Sequence, residues 1–318
     1  MNEKKIFITG VTGFVGRHLA EYFHKQGFVV YGLVRNQKKF LDANISFVKP
    51  ISGDLNNFPQ HLLKEVSFII HTAGLITAKN KNQYYEVNTA GTKNLAEAVR
   101  KYAPDKRLLY ISSLAAAGPA NIYPRTEVDT EEPVSHYGKS KFLGEKEIEK
   151  AVTHFTILRP PVLFGPYDRG MFIPFQYAIK YGIAPVVGGS TSKVDFLFID
   201  DFVKACFQAI HSPATDGKKY FLGGNPLYWK EFWNIVKETS GKKLKHISIP
   251  VTFVKGLGYV NDVLKNSMLN SDKVKEIICP NWTSGSEEAK NDFGFKRQTD
   301  NFTAIRMTYQ WYKQKGWL

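Results

Sequence analysis

Through the first half of the chain, apolar positions fall in two alternating rhythms. Short runs rich in β-branched and aromatic residues predict strands at Ile6–Thr9, Val29–Val34, Ser46–Lys49, Phe68–His71, Leu108–Ser112 and Thr156–Arg159. Longer stretches near Gly13–Gln26, Gln83–Tyr102 and Ser135–Val152 carry helical spacing. In the first of these, Val15, Leu19, Tyr22 and Phe23 share one face and Gly27 closes the helix. Repeated strand–helix units of this length predict an α/β fold. Its core would be a doubly wound parallel sheet with ligands at the carboxyl ends of the strands. Past Pro160 the rhythm loosens into longer loops, with helices expected near Asp200–His211, Lys230–Ser240 and Asn301–Lys313.

The first strand runs into its helix through Thr9-Gly10-Val11-Thr12-Gly13-Phe14-Val15-Gly16. Gly10 permits the tight turn, Gly13 lets the backbone approach phosphates without a Cβ in the way, and Gly16 lets the helix pack closely on the sheet. The helix N-terminus offers unpaired N–H groups and the positive end of its dipole. Thr12, Phe14 and Val15 complete this candidate cradle for a dinucleotide diphosphate. No Gly-Lys-Ser/Thr follows, so the turn is not a P-loop. Residues 1–160 therefore read as a Rossmann-type dinucleotide-binding domain to which later segments return. Residues 161–318 read as mainly a smaller α/β substrate lobe.

Candidate chemistry follows in order. Ser112-Ser113 closes a strand at the edge where ligands bind, and Ser113 could polarise a substrate oxygen. In Ser135-His136-Tyr137-Gly138-Lys139-Ser140-Lys141, Tyr137 and Lys141 lie four apart on one helix face. An ammonium near a phenol lowers its pKa, and a tyrosine so tuned exchanges a proton with an alcohol or carbonyl. Lys141 could also hold a cofactor ribose.

Together these residues resemble the extended branch of the short-chain dehydrogenase/reductase superfamily, the NAD-dependent epimerase/dehydratase family, over essentially the whole chain. The resemblance implies a catalytic set of Ser113, Tyr137 and Lys141, supported by Asn88 from Val87-Asn88-Thr89-Ala90-Gly91-Thr92. It implies cofactor contacts from Gly10, Gly13, Gly16, the pair Asp54-Leu55, the strand end Thr72-Ala73-Gly74, Ser112, and Pro160 and Val162 after Arg159. It also implies a homodimer built through the helices near Asn82–Tyr102 and Ser135–Val152.

Cofactor choice turns on the end of the second strand, Val34-Arg35-Asn36. Arg35 stands where a carboxylate would favour NAD, and a guanidinium pairs well with a 2′-phosphate. Lys38 and Lys39 add positive potential. The pattern resembles dihydroflavonol reductases and hydroxysteroid dehydrogenases and favours NADP(H), with NAD the alternative.

Two reactions share this scaffold: reduction or oxidation at a carbonyl or alcohol carbon, and nucleotide-sugar epimerisation. Where the sugar-nucleotide enzymes commonly carry Asn and Arg, this chain has Val162 and Val194, and Leu114-Ala115 replaces the Asp-Glu of dehydratases. An apolar wall of Leu114, Val162, Phe164, Tyr167 and Phe172 would suit a bulky, weakly charged small molecule, with Arg169 available for an anionic tail; the aromatic residues among them equally fit the ordinary core of the second lobe. The reductase reading is favoured and the epimerase stays open. A non-catalytic dinucleotide-binding module is the lesser alternative, since the catalytic set is intact.

Composition narrows the setting. The formal net charge is +14, but the lysines are scattered and often sit beside glutamates. That pattern predicts a solvated basic surface and no nucleic-acid partner. Cys206 and Cys279 lack metal-like spacing, so no metal site and a reducing, cytoplasmic setting are expected. No apolar run has the length of a signal or a bilayer span. The apolar segment Ile247–Val260 could form a hydrophobic rim or touch a membrane; packing against the lobe is the expected outcome, without firm membrane association.

Overall fold

The structure, a computed structural model, describes residues 4–188, 192–264 and 270–318. Six strands alternate with helices in the first half: β1 (Lys5–Thr9), β2 (Val29–Val34), β3 (Val48–Ser52), β4 (Phe68–His71), β5 (Arg107–Ile111) and β6 (Phe155–Arg159). The second half adds β7 (Val162–Phe164), β8 (Ile183–Val187), β9 (Lys193–Phe198), β10 (Lys218–Phe221), β11 (Pro226–Tyr228), β12 (Lys245–Ile249) and β13 (Asn281–Trp282). One parallel sheet runs β10-β6-β5-β4-β1-β2-β3, so the chain returns to its first sheet after Phe198 to add the seventh strand. The order reverses between β1 and β4, which opens a crevice at their carboxyl ends.

The central strands are apolar on both faces because helices cover both. One side buries Phe7, Ile69, Tyr110 and Ile148. The other buries Ile6, Ile8 and Leu19 in a core that continues through Phe164, Phe175, Phe196, Phe232 and Trp233 of the second half. The two halves therefore share one apolar interior.

Three features differ from the sequence expectation. The third strand lies at Val48–Ser52 and not Ser46–Lys49, and it includes Pro50. It pairs with β2 alone, and an edge strand tolerates a residue that cannot donate a ladder hydrogen bond. The helix expected over Gln83–Tyr102 is broken in type: Lys81–Tyr84 is α-helical, Tyr85–Ala90 is a π-helical turn and Gly91–Tyr102 is α-helical again. The loose second half holds two small sheets, β11-β9-β13 with β7 on β9, and β12-β8. Among the described residues no helix is long and apolar enough to cross a membrane.

A buried ion pair fastens the main sheet to the helix His136–Ala151. Arg159 is 2% exposed and Glu145 is fully buried. The guanidinium grips both carboxylate oxygens, Nε to Oε1 at 3.0 Å and Nη2 to Oε2 at 2.6 Å. Arg159 Nη2 also reaches Glu131 at 2.7 Å, and Lys219 of β10 bridges Glu131 and Glu149 at 2.9 and 3.0 Å. Ser112 donates its hydroxyl to Glu145. Burial pushes the Glu131 carboxyl up, but Arg159 and Lys219 outweigh it and hold it down at about 2. Removing one partner of such a pair strands a charge in the interior. Arg159→Met should therefore cost about 3–5 kcal/mol in urea unfolding. Adding Glu145→Gln should recover part of that loss, since the two sites are coupled.

Candidate active site

The glycine turn has the shape a diphosphate requires. Gly10 adopts φ +77°, and a Cβ there would stand 2.6 Å from Thr72 Oγ1 and 2.8 Å from the Ala73 nitrogen. A Cβ on Gly16 would stand 2.2 Å from the Gly10 carbonyl oxygen. Gly13 donates to that carbonyl at 2.9 Å and caps the helix Phe14–Lys25 without any side-chain bond. With no acid in the first turn, the N–H groups of Phe14 and Val15 are left for an anion beside the exposed Gly13. Thr12 is half-buried next to them.

Around this cradle the other cofactor candidates differ in what they can offer. Arg35 is exposed just past β2 and makes no hydrogen bond or ion pair among the described residues. Lys38 and Lys39 follow, also exposed. Asp54 spends Oδ1 on its own turn, accepting the N–H groups of Asn56 and Asn57 at 2.8 and 3.0 Å. Leu55 is buried close to Gly91. Thr72 and Ala73 are half-buried and Gly74 is exposed along the crevice.

Ser113, Tyr137 and Lys141 converge at the same sheet edge. Ser113 caps the short helix Leu114–Ala117, accepting the Ala115 N–H at 3.1 Å, and hydrogen-bonds Tyr137. Burial pushes the Tyr137 phenol above the ordinary range, and the Ser113 hydroxyl pulls against it. This corrects the sequence expectation that Lys141 lowers the phenol. Lys141 is itself buried and donates to the Ile111 carbonyl at 2.7 Å over the Tyr110 ring. Burial drives its ammonium down to about 7, with Glu145 opposing.

Asn88, which the resemblance implies both as a support of the catalytic set and as a cofactor contact, makes interior hydrogen bonds only. It is fully buried on the π-helical turn. Its Nδ2 donates to the Leu75 carbonyl at 3.0 Å and to Ser140 Oγ at 2.9 Å, while Oδ1 accepts the Leu75 N–H at 2.7 Å. It ties the strand-end segment to the helix of Tyr137 and has no surface for a cofactor. Ser112 likewise turns its hydroxyl into the Glu145 pair and away from the cleft.

A hydrogen-bond chain missed by the sequence reading lies beneath these residues. Thr92 Oγ1 donates to the Asn88 carbonyl at 2.7 Å, so it accepts from His71 Nε2 at 2.9 Å. His71 Nδ1 must then accept the Thr9 hydroxyl at 2.7 Å, and Thr9 Oγ1 accepts the N–H groups of Thr72 and Ala73 at 3.2 and 3.1 Å. The chain fixes the Nε2–H tautomer. Burial, with the Lys141 charge second, drives the imidazole down to about 3.

The substrate side departs further from expectation. Phe164 is completely buried against Phe196 and Phe198, so it is core and not cleft wall. Tyr167 sits under the Arg17 guanidinium, 4.0 Å from the ring centre, and against Trp311. Phe172 packs on Tyr312 and Trp317. Arg169 is exposed and lies over the Trp317 ring. Leu114 is buried and held by its N–H to the Pro160 carbonyl at 2.9 Å; Val162 is half-buried. Two carboxylates that the sequence reading passed over cap the helix of Tyr137 from the segment Ser271–Ile277. Asp272 accepts the N–H groups of His136 and Tyr137 at 2.7 and 3.2 Å, and Ser135 Oγ donates to Glu276 at 2.6 Å.

Among the described residues no cluster of metal-ligating side chains occurs, and Cys206 and Cys279 are unpaired. The chain belongs to the NAD dependent epimerase/dehydratase family, whose model matches residues 6–223. It is 29% identical to a ceramide reductase of Caulobacter vibrioides, over 98% of this chain and 96% of the relative. It is 26% identical to UDP-glucuronate 4-epimerase 1 of Arabidopsis thaliana, over 96% of this chain and 76% of the relative. The fold matches that of MoeE5 in complex with UDP-glucuronic acid and NAD, with a TM-score of 0.80 at 20% identity, covering 98% of this chain and 99% of that one.

Two outcomes follow from this geometry. Gly16→Ala should cost about 1–3 kcal/mol because its Cβ meets backbone, whereas Gly256→Ala, with nothing within 4 Å, should be neutral or stabilising in the same unfolding assay. His71 stays neutral in the fold but charges near 6.5 when unfolded, so its contribution is complete above that value and is lost as pH falls toward about 3. Unfolding at pH near 5 should therefore take up about one more proton in the wild type than in His71→Gln, read from the pH dependence of urea stability.

Proposed function

We propose that this protein is an NAD(P)H-dependent oxidoreductase acting on a carbonyl or alcohol carbon of a bulky, largely apolar small molecule. The observation that carries the reading is the hydrogen bond between Tyr137 and Ser113 at the carboxyl edge of the sheet, next to apolar Leu114 and Ala115. A phenol is protonated at neutral pH and can pass its proton to the oxygen of a carbonyl as hydride reaches the carbon. Ser113 orients the substrate oxygen, Tyr137 delivers the proton to it, and Lys141 stands behind Tyr137 toward the ribose side. A nicotinamide dinucleotide held at Gly10, Gly13 and Gly16 supplies the hydride when bound. Arg35, free at the end of β2, favours NADP(H), and NAD is the alternative. Similarity to a reductase whose named substrate is a ceramide supports an apolar substrate.

Similarity to a UDP-glucuronate 4-epimerase favours a second reading, since the same three residues serve epimerisation. The absence of a charged partner at Val162 and Val194 weighs against it, because a sugar diphosphate gains from charge-assisted hydrogen bonds. An isotope experiment separates the two. With dinucleotide deuterated at the nicotinamide C4, the reductase reading predicts stoichiometric label in the alcohol product from a long-chain ketone. Conversion of a UDP-sugar without net dinucleotide consumption contradicts it. Tyr137→Phe should lower turnover by about 10²–10⁴-fold with dinucleotide affinity little changed.

A further inference from the structure

We propose that the lobe beyond Gly182 carries a docking surface for anionic lipid bilayers, formed by the helix Val251–Val263 and the outer face of the β8–β12 sheet. Val254 and Gly258 anchor that helix inward, Gly258 against Val274 and Ser271. Phe253, Leu257, Val260 and Leu264 follow the i, i+4, i+7, i+11 spacing of a single stripe about 120° away from that anchor. They are 59%, 38%, 54% and 69% exposed. A stripe of four large apolar side chains left in water along about 16 Å of helix is not how a surface helix is built for solvent alone.

The sheet preceding it exposes apolar residues of its own. In the parallel register Ile183 faces Lys245 and Pro185 faces Ile247, so these four share one side of the ribbon, while Ala184 and Val186 point into the core. Ile183 and Ile247 are exposed on that side, and on the helix Arg169–Tyr181 that leads into β8 the exposed Tyr177 and Tyr181 stack with ring centres 5.8 Å apart. Pro250 joins this ribbon directly to the helix.

Charge selects the occupant. Residues 237–264 hold five lysines, Lys237, Lys242, Lys243, Lys245 and Lys255, against two carboxylates, Glu238 and Asp262. Asp262 already accepts the Ser271 N–H at 3.1 Å. Lys242, Lys243 and Lys245, at the start of the β12 strand, are exposed and form no ion pair among the described residues, while Lys255, also exposed and unpaired there, lies on the side of the helix opposite the stripe. A second copy of this chain meeting the patch across a two-fold axis would set these lysines against themselves. An anionic bilayer offers the complementary charge and an interior for the apolar stripe. The far end of the helix reaches Asn261 and Asp262, which border a cavity of about 240 Å³ with His136, the neighbour of Tyr137, in its wall.

Vesicle co-sedimentation tests this without cofactor or substrate, so its outcome is independent of the reaction assigned above. The wild type should sediment with vesicles of phosphatidylcholine mixed with phosphatidylglycerol, far less with phosphatidylcholine alone, and less as salt is raised. Phe253→Ser/Leu257→Ser and Lys242→Glu/Lys243→Glu/Lys245→Glu should each lower the partition coefficient at least about tenfold while keeping the wild-type melting temperature, since all five side chains are solvent-exposed. Wild-type protein that stays in the supernatant with anionic vesicles, or variants that partition like wild type, would overturn the proposal. So would a Phe253→Ser/Leu257→Ser variant that turns a wild-type dimer into a monomer in sedimentation velocity with vesicle binding unchanged, because the stripe would then be a subunit interface.

Discussion

The geometry of this site hangs on one buried ion pair. Glu145 lies one helical turn beyond Lys141 and two beyond Tyr137, so its grip on Arg159 fixes the rotation and height of that whole helix face against β6. The same carboxylate takes the Ser112 hydroxyl and so fixes the strand end from which Ser113 projects. A single fully buried group thereby sets where the three candidate catalytic side chains stand relative to one another. Lys219 and Glu131 extend the network to the strand that the second half returns to the sheet, which couples the lobe's position to the site floor.

Burial dominates the electrostatics above that floor. Lys141 and His71 are both driven toward their neutral forms, and Tyr137 is driven away from its charged form. With its proton order fixed by the chain from Thr9 to Asn88, His71 acts as a rigid hydrogen-bonding strut between β1, β4 and the helix beyond the π-turn.

Much of this was legible in the chain. The glycine turn and five of the six early strands in near register follow from local pattern, because each depends on spacing along adjoining residues, whereas the grouping of Ser113 with Tyr137 and Lys141 spans two elements and came from the family resemblance. What the sequence hid depends on tertiary burial. The direction of the Tyr137 shift could not be read from its distance in residues to Lys141, since the lysine spends its ammonium on the Ile111 carbonyl. Phe164 looked like a cleft wall because aromatic residues after a proline-rich strand end suit either role, and packing against Phe196 decided it. The π-turn around Asn88 carries no distinctive residue pattern. Glu145 did carry a signal, four residues past Lys141 on the same face, but an acid on a helix reads as solvated until Arg159 is seen beneath it.

The proposed chemistry requires an exchangeable dinucleotide at the Gly10–Gly16 turn, with Arg35 setting the choice between NADP(H) and NAD. Equilibrium titration of purified protein with NADPH and NADH, after inspection of its absorbance for retained cofactor, tests that most directly. Reversible binding that is tighter for NADPH, and that loses this preference in Arg35→Asp, is the predicted result. Protein that retains NAD through purification and does not exchange it with added NADPH would contradict the account.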